Sequence, residues 1–250
     1  MLLQGKVVIV SGIGPGLGQE LAVEAAKQGA VVAMCARTAS KLDEAEAEIM
    51  ALGLNTEVLK VATDISDRQQ CAALVEKTIS RFGRIDVLFN SAYNPGEFGP
   101  IESANLDSWR AAMDVNLFGT MALTLETIPQ MKKQGGGAIV MINTMVTRKP
   151  LHTQGGYGAS KAALASATSH LALELGGYNI RVNSAYMGWM WGPAVEGYLQ
   201  MNAAVSKNIP LGHIPDDADC AKAAIFLGSD YACAVTGAAL DVNGGEYLPH

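Results

Sequence analysis

Cysteine is scarce in this sequence, and its spacing excludes a common kind of structural site. The four cysteines, Cys35, Cys71, Cys220 and Cys233, lie far apart and include no Cys-x-x-Cys pair. This spacing argues against structural zinc and is typical of reduced thiols in a reducing compartment. The histidines also lack metal-ligand spacing, so we expect core or surface roles for them and no metal site. They are His152, His170, His213 and His250.

Long hydrophobic runs and clusters of basic residues are also missing. The apolar residues 7–10 are too few to cross a membrane, and they lead into glycines with no signal-type cleavage region. A net charge of -6 and a pI near 5.2, with no Lys/Arg block, argue against general binding to nucleic acid. We therefore expect a cytoplasmic protein whose partners are small molecules or copies of itself.

No internal repeat, low-complexity tract or linker interrupts the 250 residues, of which 49% are hydrophobic. We expect one domain over residues 1–250, with substrate loops around residues 91–103 and 186–212. Apolar runs alternate with helix-forming stretches, which predicts a doubly wound α/β fold with a parallel sheet of about seven strands and helices on both faces. The predicted strands cover residues 6–11, 31–36, 57–61, 85–90, 138–143, 180–185 and 239–242, and the predicted helices residues 19–27, 41–52, 67–82, 107–129, 157–175 and 216–227.

A glycine cluster follows the first predicted strand and leads into the first predicted helix. A helix that begins there offers free backbone N–H groups and a positive dipole end, which suit a pyrophosphate. The spacing Gly12-x-x-x-Gly16-x-Gly18 is not the usual Gly-x-Gly-x-x-Gly fingerprint. A tight turn without a ligand therefore stays open as an alternative.

The residues after the second predicted strand bear on the choice of dinucleotide. Dinucleotide-binding folds commonly place an acidic residue there to bind ribose hydroxyls, or basic residues if a 2′-phosphate must fit. This chain has Ala36, Arg37 and Thr38 at that point. The missing acid and the adjacent arginine favour NADP(H) over NAD(H). NAD(H), with Arg37 as an ordinary surface residue, is the alternative.

Tyr157 and Lys161 lie one turn apart in a predicted helix, so a phenol and an ammonium share one small volume. A free phenol titrates near pH ~10, and a fixed positive charge lowers this pKa, so the pair could act as general acid and base. A half-buried tyrosine beside a solvated lysine is the plain alternative. The segment from Gly158 to Ala162 differs at one residue from the Gly-x-Ser-x-Gly motif of serine hydrolases. Its final alanine and its place inside a predicted helix argue against a serine hydrolase.

Taken together and in order, these motifs resemble those of the short-chain dehydrogenase/reductase family over essentially the full chain. The glycine spacing and the Tyr157 and Lys161 pair match that family, and Asp64 matches its adenine-contacting aspartate. The other matching segments are Asn90-Ser91-Ala92-Tyr93, Asp114-Val115-Asn116, Arg181-Val182-Asn183, Thr236-Gly237 and Asn243-Gly244-Gly245.

The resemblance implies hydride transfer between a nicotinamide and a carbonyl or alcohol carbon. Tyr157 would exchange a proton with the substrate oxygen, and Lys161 would lower the pKa of Tyr157 and hold the nicotinamide ribose. Asn116 would position a water that connects Lys161 to solvent. The implied cofactor-binding residues are Gly12, Gly14, Gly16, Leu17, Gly18, Arg37, Thr38, Asp64, Ile65, Asn90, Ala92, Tyr157, Lys161, Gly188 and Met190.

The chain departs from the family pattern in three places. Thr144 stands where the family usually has the serine that hydrogen-bonds the substrate oxygen; its hydroxyl can donate the same bond, and its methyl narrows the pocket. After the sixth strand, Met187-Gly188 replaces Pro-Gly, and Gly192, followed by Pro193, replaces a threonine. Tyr93 replaces a glycine.

Large apolar side chains fall in loops expected at the carboxyl ends of the strands, where open α/β sheets bind ligands. They predict a bulky hydrophobic ketone or secondary alcohol, steroid-like or alicyclic, as the substrate. A 3-oxoacyl thioester reductase and a catalytically silent, cofactor-bound sensor are the alternatives. The resemblance also implies a homotetramer. The candidate substrate residues are Tyr93, Met145, Trp189 and Trp191, with Phe98 and Met190 beside them.

Overall fold

The computed structural model describes residues 1–192, 195–197 and 204–248. Strands and helices alternate along the chain. The strands are β1 (Val7–Ser11), β2 (Val31–Ala36), β3 (Val58–Ala62), β4 (Val87–Asn90), β5 (Gly137–Thr144), β6 (Ile180–Met187) and β7 (Ala239–Val242). The helices are α1 (Leu17–Lys27), α2 (Ala39–Ala51), α3 (Arg68–Phe82), α4 (Leu106–Met113), α5 (Thr120–Lys133), α6 (Gly155–Leu175) and α7 (Asp217–Gly228).

The strands form one parallel sheet in the order β3-β2-β1-β4-β5-β6-β7. All their carboxyl ends therefore lie at the same edge. The order reverses between β1 and β4, and open α/β sheets bind ligands outside such a switch point. The fold class predicted from the sequence is confirmed.

The sheet is buried on both faces, as the β-branched runs predict. Val8 and Val10 belong to an apolar cluster shared with α1, α2 and α7, whereas Ile9 belongs to a second cluster shared with α3, α5 and α6. Side chains alternate between the two faces because a strand has a period of two residues. Each fully buried Leu, Ile or Phe contributes about 1.5–3 kcal/mol of transfer free energy. The two clusters thus fix the strands, and with them the loops at the carboxyl edge.

One predicted helix, over residues 107–129, differs in the structure. It is divided into α4 and α5 by a π-helical turn over Asp114–Gly119, and α5 continues past Pro129 to Lys133. Proline removes one N–H donor, which would free the carbonyl of Leu125. Both residues are exposed, so water can satisfy that carbonyl and the helix need not end.

Within the described residues, no helix is long and apolar enough to cross a membrane.

Candidate active site

A cleft of about 1120 Å³ lies at the carboxyl edge of the sheet, outside the switch point. Ligand sites for drug-sized molecules usually enclose about 300–1,000 Å³, so this cleft has room for a larger ligand. It is lined by the glycine turn after β1 and by loops after β4, β5 and β6. The predicted site residues among its lining are Gly12, Gly14, Gly16, Leu17, Gly18, Tyr93, Thr144, Met145, Tyr157, Lys161, Gly188, Trp189 and Met190.

The glycine turn is shaped by backbone geometry that only glycine accommodates. Gly12 has φ +80° and Gly16 has φ +100°, and a Cβ atom on Gly12 would collide with the backbone of Ala92. No described side chain caps the N-terminus of α1, which opens on the cleft. Gly14 also lines the cleft, with open space where a Cβ would lie. The uncapped N–H groups and the bare backbone therefore fit the phosphates of a dinucleotide.

Lys161 is buried beneath the cleft, on α6. Its side chain is only 2% exposed, and its Nζ donates a hydrogen bond to the carbonyl of Ile142 on β5 at 2.7 Å. Burial disfavours the charged form and lowers the pKa of Lys161 from 10.5 to about 7. The amine can therefore gain or lose a proton near neutral pH.

Tyr157 is half-buried one turn before Lys161 and shares a hydrogen bond with Thr144. Burial raises the pKa of Tyr157, the neighbouring phenol of Tyr93 adds to this effect, and the hydrogen bond with Thr144 opposes it. The rings of Tyr93 and Tyr157 meet edge to face with centroids 6.3 Å apart. Since burial is the largest effect, the phenol of Tyr157 keeps its proton at neutral pH.

The direction of this shift differs from the sequence prediction, in which Lys161 lowers the pKa of Tyr157. The physical reason is that Lys161 is itself buried. With a pKa of about 7, its amine carries only part of a positive charge at neutral pH. Its Nζ is directed at the Ile142 carbonyl, and the lowering effect on Tyr157 comes from Thr144.

Thr144 is the last residue of β5 and is held on both sides by hydrogen bonds. Its N–H donates to Oδ1 of Asn143 at 2.8 Å, and its Oγ1 accepts from the N–H of Val146 at 3.3 Å. Nδ2 of Asn143 donates to the carbonyl of Lys161 at 3.2 Å. Asn143 thus ties the end of β5 to α6, which fixes Thr144 relative to Tyr157.

Asn116 lies in the π-helical turn, is fully buried and connects two elements of the site. Its Nδ2 donates to the carbonyl of Asn94 at 2.8 Å and to Oγ of Ser160 at 2.8 Å, and its Oδ1 accepts from the N–H of Asn94 at 2.7 Å. Oγ of Ser160 in turn donates to the carbonyl of Tyr157 at 2.8 Å. Asn116 therefore joins the loop after β4 to α6, and its role in positioning a water stays a prediction. The sequence analysis missed Asn94 and Ser160.

Several predicted cofactor residues lie outside the cleft lining. Arg37 and Thr38 are exposed at the end of β2, the neighbour of β1 in the sheet. Asp64 follows β3, and its Oδ1 accepts from both N and Oγ of Ser66. Its contact with the adenine stays a prediction. Ile65 beside it is buried.

Asn90 is the last residue of β4, opposite Ser11 of β1, and Ala92 lies in the loop that follows. Nδ2 of Asn90 donates to Oγ1 of Thr124 at 3.0 Å, and Oδ1 of this buried residue has no partner within the described residues. Ala92 packs its backbone against Gly12. Ala92 therefore supports the glycine turn, and the contact of Asn90 and Ala92 with the cofactor stays a prediction.

Of the predicted substrate residues, Trp191 is the one outside the cleft lining. Its N–H donates to the carbonyl of Pro215 at 2.8 Å, and its carbonyl accepts from the N–H of Asp217 at 3.1 Å, so its backbone pairs with the start of α7. Gly192 does line the cleft, where a Cβ would collide with the carboxylate of Asp217. Pro193, His250 and residues 198–203 of the predicted substrate loop lie outside the described residues.

The sequence analysis missed other lining residues, including Val146, Lys149, Leu151, Gln154 and Glu246. Four of them follow β5 directly, so their position in the loop could have indicated them. Glu246 is brought in by the C-terminal segment, which no sequence motif places here.

Comparisons with known proteins point to one family over most of the chain. A family model described as Enoyl-(Acyl carrier protein) reductase matches residues 12–246. The 3-oxoacyl-[acyl-carrier-protein] reductase FabG of Thermotoga maritima is 34% identical over 247 residues, which span 98% of this chain and 99% of that protein. The 7alpha-hydroxysteroid dehydrogenase of Escherichia coli K12 is 32% identical over 245 residues, which span 97% of this chain and 94% of that protein.

Solved structures share the fold. The crystal structure of levodione reductase has a TM-score of 0.92 and 30% identity, over 97% of this chain and 98% of that chain. The crystal structure of NAD+-bound xylitol dehydrogenase has a TM-score of 0.91 and 27% identity, over 98% of this chain and 100% of that chain.

Proposed function

Because the chain belongs to the short-chain dehydrogenase/reductase family, we propose that it is an NADP(H)-preferring oxidoreductase of bulky hydrophobic ketones or secondary alcohols. The observation that carries the proposal is the Tyr157 phenol, which is hydrogen-bonded to Thr144 in a largely apolar cleft that the buried Lys161 also lines. The family uses NAD(P)(H), and the nicotinamide, when bound, supplies or accepts the hydride.

The side chains of the protein would transfer the proton to or from the substrate oxygen. In the reducing direction, the Tyr157 hydroxyl donates its proton to the substrate oxygen, and Thr144 holds that oxygen with a second hydrogen bond. Lys161 replaces the proton, which its pKa of about 7 allows near neutral pH. In the oxidising direction the same groups take the proton away.

The residues that would hold the dinucleotide lie along the carboxyl edge from β3 to β6. The glycine turn would bind the pyrophosphate through backbone N–H groups, and the carboxylate of Asp64 would contact the adenine. Exposed Arg37, beside Ala36 rather than an acidic residue, would bind a 2′-phosphate. NAD(H) stays the alternative, since the xylitol dehydrogenase structure is NAD+-bound.

The hydrophobic substrate is inferred from the character of the cleft. Its lining includes Tyr93, Phe98, Leu151, Trp189 and Met190, which favour an apolar molecule of some bulk. The relatives include a hydroxysteroid dehydrogenase and levodione reductase, whose names specify alicyclic substrates.

A 3-oxoacyl thioester reductase is the second candidate, favoured by the likeness to FabG. Such a substrate carries phosphate, which basic residues at the cleft would bind. Among the described lining residues, Lys149 is already paired with Glu246, and Lys161 is buried. This arrangement favours the hydrophobic ketone.

We also propose that the protein is a homotetramer. Large apolar side chains are exposed on the outer helices. The exposed fraction is 61% for Phe118 in the π-helical turn, 45% for Leu125 on α5 and 82% for Leu173 on α6. Exposed apolar surface of this kind commonly marks a protein interface. The buried free thiols of Cys35, Cys71 and Cys220 fit the proposed cytoplasmic location.

Kinetics with NADPH and NADH across a panel of ketones tests the proposal. The panel contains steroid ketones, alicyclic ketones, small polar ketones and a 3-oxoacyl thioester. We expect the highest kcat/KM for a bulky ketone with NADPH. A higher kcat/KM with NADH overturns the cofactor preference, and preference for the thioester favours the second candidate. Nucleotide binding without turnover of any member supports a silent sensor.

A further inference from the structure

Tyr93 lines the cleft with a large side chain that the protein leaves uncovered. Its exposed fraction is 56%, and it borders the same space as Tyr157. An aromatic ring in water gains free energy when an apolar partner covers it. The proton transfer proposed for Tyr157 makes no use of Tyr93, so the exposed ring requires a different explanation.

The backbone on both sides of Tyr93 is held in place. Before it, the backbone of Ala92 packs so closely against Gly12 that a Cβ on the glycine would collide with it. After it, the N–H of Asn94 donates to Oδ1 of Asn116 at 2.7 Å, and the carbonyl of Asn94 accepts from Nδ2 of Asn116 at 2.8 Å. These contacts fix the point from which the ring projects without burying the ring itself.

The ring of Tyr93 adjoins the proposed proton donor. The centroids of the Tyr93 and Tyr157 rings are 6.3 Å apart and their planes meet at 61°, an edge-to-face contact. The phenol of Tyr93 also contributes to the raised pKa of Tyr157, which indicates that the oxygen ends of the two rings lie near each other. A substrate oxygen that takes the proton of Tyr157 must lie about 2.6–3.2 Å from its hydroxyl. The carbons attached to the reacting carbonyl therefore lie beside Tyr93.

Phe98 offers a contrast within the same loop. It also lines the cleft, and its exposed fraction is the same 56%. Among the described residues, no ring contact joins Phe98 to Tyr157 or to Tyr93. The two side chains thus offer similar exposed surface, but Tyr93 alone of the pair offers it next to the proton donor.

We propose that Tyr93 is a specificity-determining residue, whose exposed ring is covered by a ring of the substrate that contains the reacting carbonyl or carries it directly. A ring presents a broad and rigid apolar surface there, whereas a flexible chain loses conformational freedom when it is held in the same place. This inference rests on the proposed function, because it concerns the same substrate. It narrows the substrate class from bulky ketones to ketones with a ring at the reacting carbon.

Two pairs of ketones with matched carbon numbers test this inference. The adjacent pair is cyclohexyl methyl ketone and 2-octanone, and the distant pair is 4-cyclohexyl-2-butanone and 2-decanone, so the ring is next to the carbonyl only in the first. In the wild type, KM should be lower for the ring compound by about tenfold in the adjacent pair and by about twofold or less in the distant pair. Calorimetry in the presence of NADP+, which cannot reduce the ketones, gives their dissociation constants independently of turnover.

Three variants separate the ring of Tyr93 from other effects. In Tyr93→Ala, the advantage of the ring compound in the adjacent pair should fall to about twofold or less. Tyr93→Phe keeps the ring and should keep the advantage. The control Phe98→Ala removes a ring of equal exposure from the same loop and should also keep it. The midpoint of urea unfolding should stay at the wild-type value in all three, because both side chains are mostly exposed.

Equal KM and dissociation constants within the adjacent pair in the wild type overturn the inference, whether or not Tyr93→Ala folds. An equal ring advantage in both pairs also overturns it, because the position of the ring would then not matter. So does a full advantage in Tyr93→Ala, or an equal loss in Phe98→Ala. Turnover without a ring advantage in the adjacent pair sinks this inference alone, whereas a ring advantage in calorimetry without turnover of any ketone sinks the proposed function alone.

Discussion

At the scale of single residues, burial moves two pKa values in opposite directions. It raises the pKa of Tyr157 and lowers that of Lys161 to about 7. The phenol is therefore protonated at neutral pH, while the amine exchanges its proton there. Pairs of titratable groups whose pKa values are pushed apart commonly divide the acid and base roles between them. In the proposed mechanism, Tyr157 donates the proton to the substrate, and Lys161 replaces the proton that Tyr157 has given up.

Thr144 should be replaceable by serine but not by alanine. Serine keeps the hydroxyl that bonds Tyr157, so kcat of Thr144→Ser should stay within about threefold of the wild type. Thr144→Ala removes the donor to the substrate oxygen and should lower kcat by about 10²-fold or more. Steady-state kinetics with one bulky ketone measures both. Equal activity of all three proteins would remove Thr144 from the mechanism.

The buried Lys161 should make stability rise with pH. Its folded pKa of about 7 lies below the ordinary 10.5, so the unfolded state binds more protons between these values. Its contribution is complete above the unfolded pKa and is lost as pH falls through about 7. The free energy of unfolding, measured with urea, should increase by about 1–2 kcal/mol from pH 7 to about pH 8.5.

Lys161→Met is the control for this pH dependence, because methionine keeps the length of the side chain without a titrating group. The cysteine and tyrosine pKa values that burial raises affect stability only above their ordinary values of 9.0 and 10.0, outside this interval. An identical increase in the variant would show that another group is responsible.

The sequence predicted the candidate catalytic side chains that the fold brings to one cleft, but not their electrostatics. Tyr157, Thr144 and Lys161 could be found because their types and spacing follow a motif. The direction in which the pKa of Lys161 shifts depends on how deeply its side chain is buried against β5. No local sequence pattern encodes that depth. Glu246 was missed for a similar reason, since it enters the cleft through long-range packing of the C-terminal segment.

At the scale of elements, the glycines of the turn between β1 and α1 have two different roles. Gly12 is needed for the fold, whereas Gly14 faces the space where a ligand would bind. Gly12 has φ +80° and no space for a Cβ, whereas Gly14 has open space and borders the cleft. The spacing of the glycines suggested a phosphate turn, but only the structure distinguishes these two roles.

The variants Gly12→Ala and Gly14→Ala should therefore fail in different ways. Gly12→Ala forces a strained backbone and a collision with Ala92, which should cost at least about 1–3 kcal/mol of unfolding free energy. Gly14→Ala should leave stability within about 0.5 kcal/mol and weaken nucleotide binding, because its methyl group enters the cleft. Urea unfolding and calorimetric titration with NADPH separate the two effects. Equal loss of stability in both variants would contradict this division.

Element boundaries followed the sequence pattern except at the helix over residues 107–129. Apolar periodicity revealed that a helix was present, but it carried no sign of the π-helical turn that contains Asn116. The predicted helix ended at residue 129, whereas α5 continues past Pro129 to Lys133, where exposure of Leu125 and Pro129 lets water satisfy the freed carbonyl. Both differences come from tertiary surroundings.

At the scale of the whole molecule, the sheet order places the glycine turn after β1 and the site residues Thr144, Tyr157 and Lys161 at the same edge. The alternation of strands and helices was sufficient to predict the parallel doubly wound fold, since few other arrangements satisfy right-handed crossovers. What the sequence could not provide is the contents of the cleft. Those depend on loops after β4, β5 and β6 and on the C-terminal segment, which converge only in the folded chain.

The central claim is that Tyr157 donates the proton in reduction of a bulky ketone. The most direct test is kcat, followed by the absorbance of the reduced nicotinamide, for the wild type and Tyr157→Phe with the best ketone of the panel. We expect kcat to fall by about 10²–10⁴-fold in the variant, with NADPH affinity and unfolding free energy nearly unchanged. Turnover by Tyr157→Phe at the wild-type rate would contradict the account.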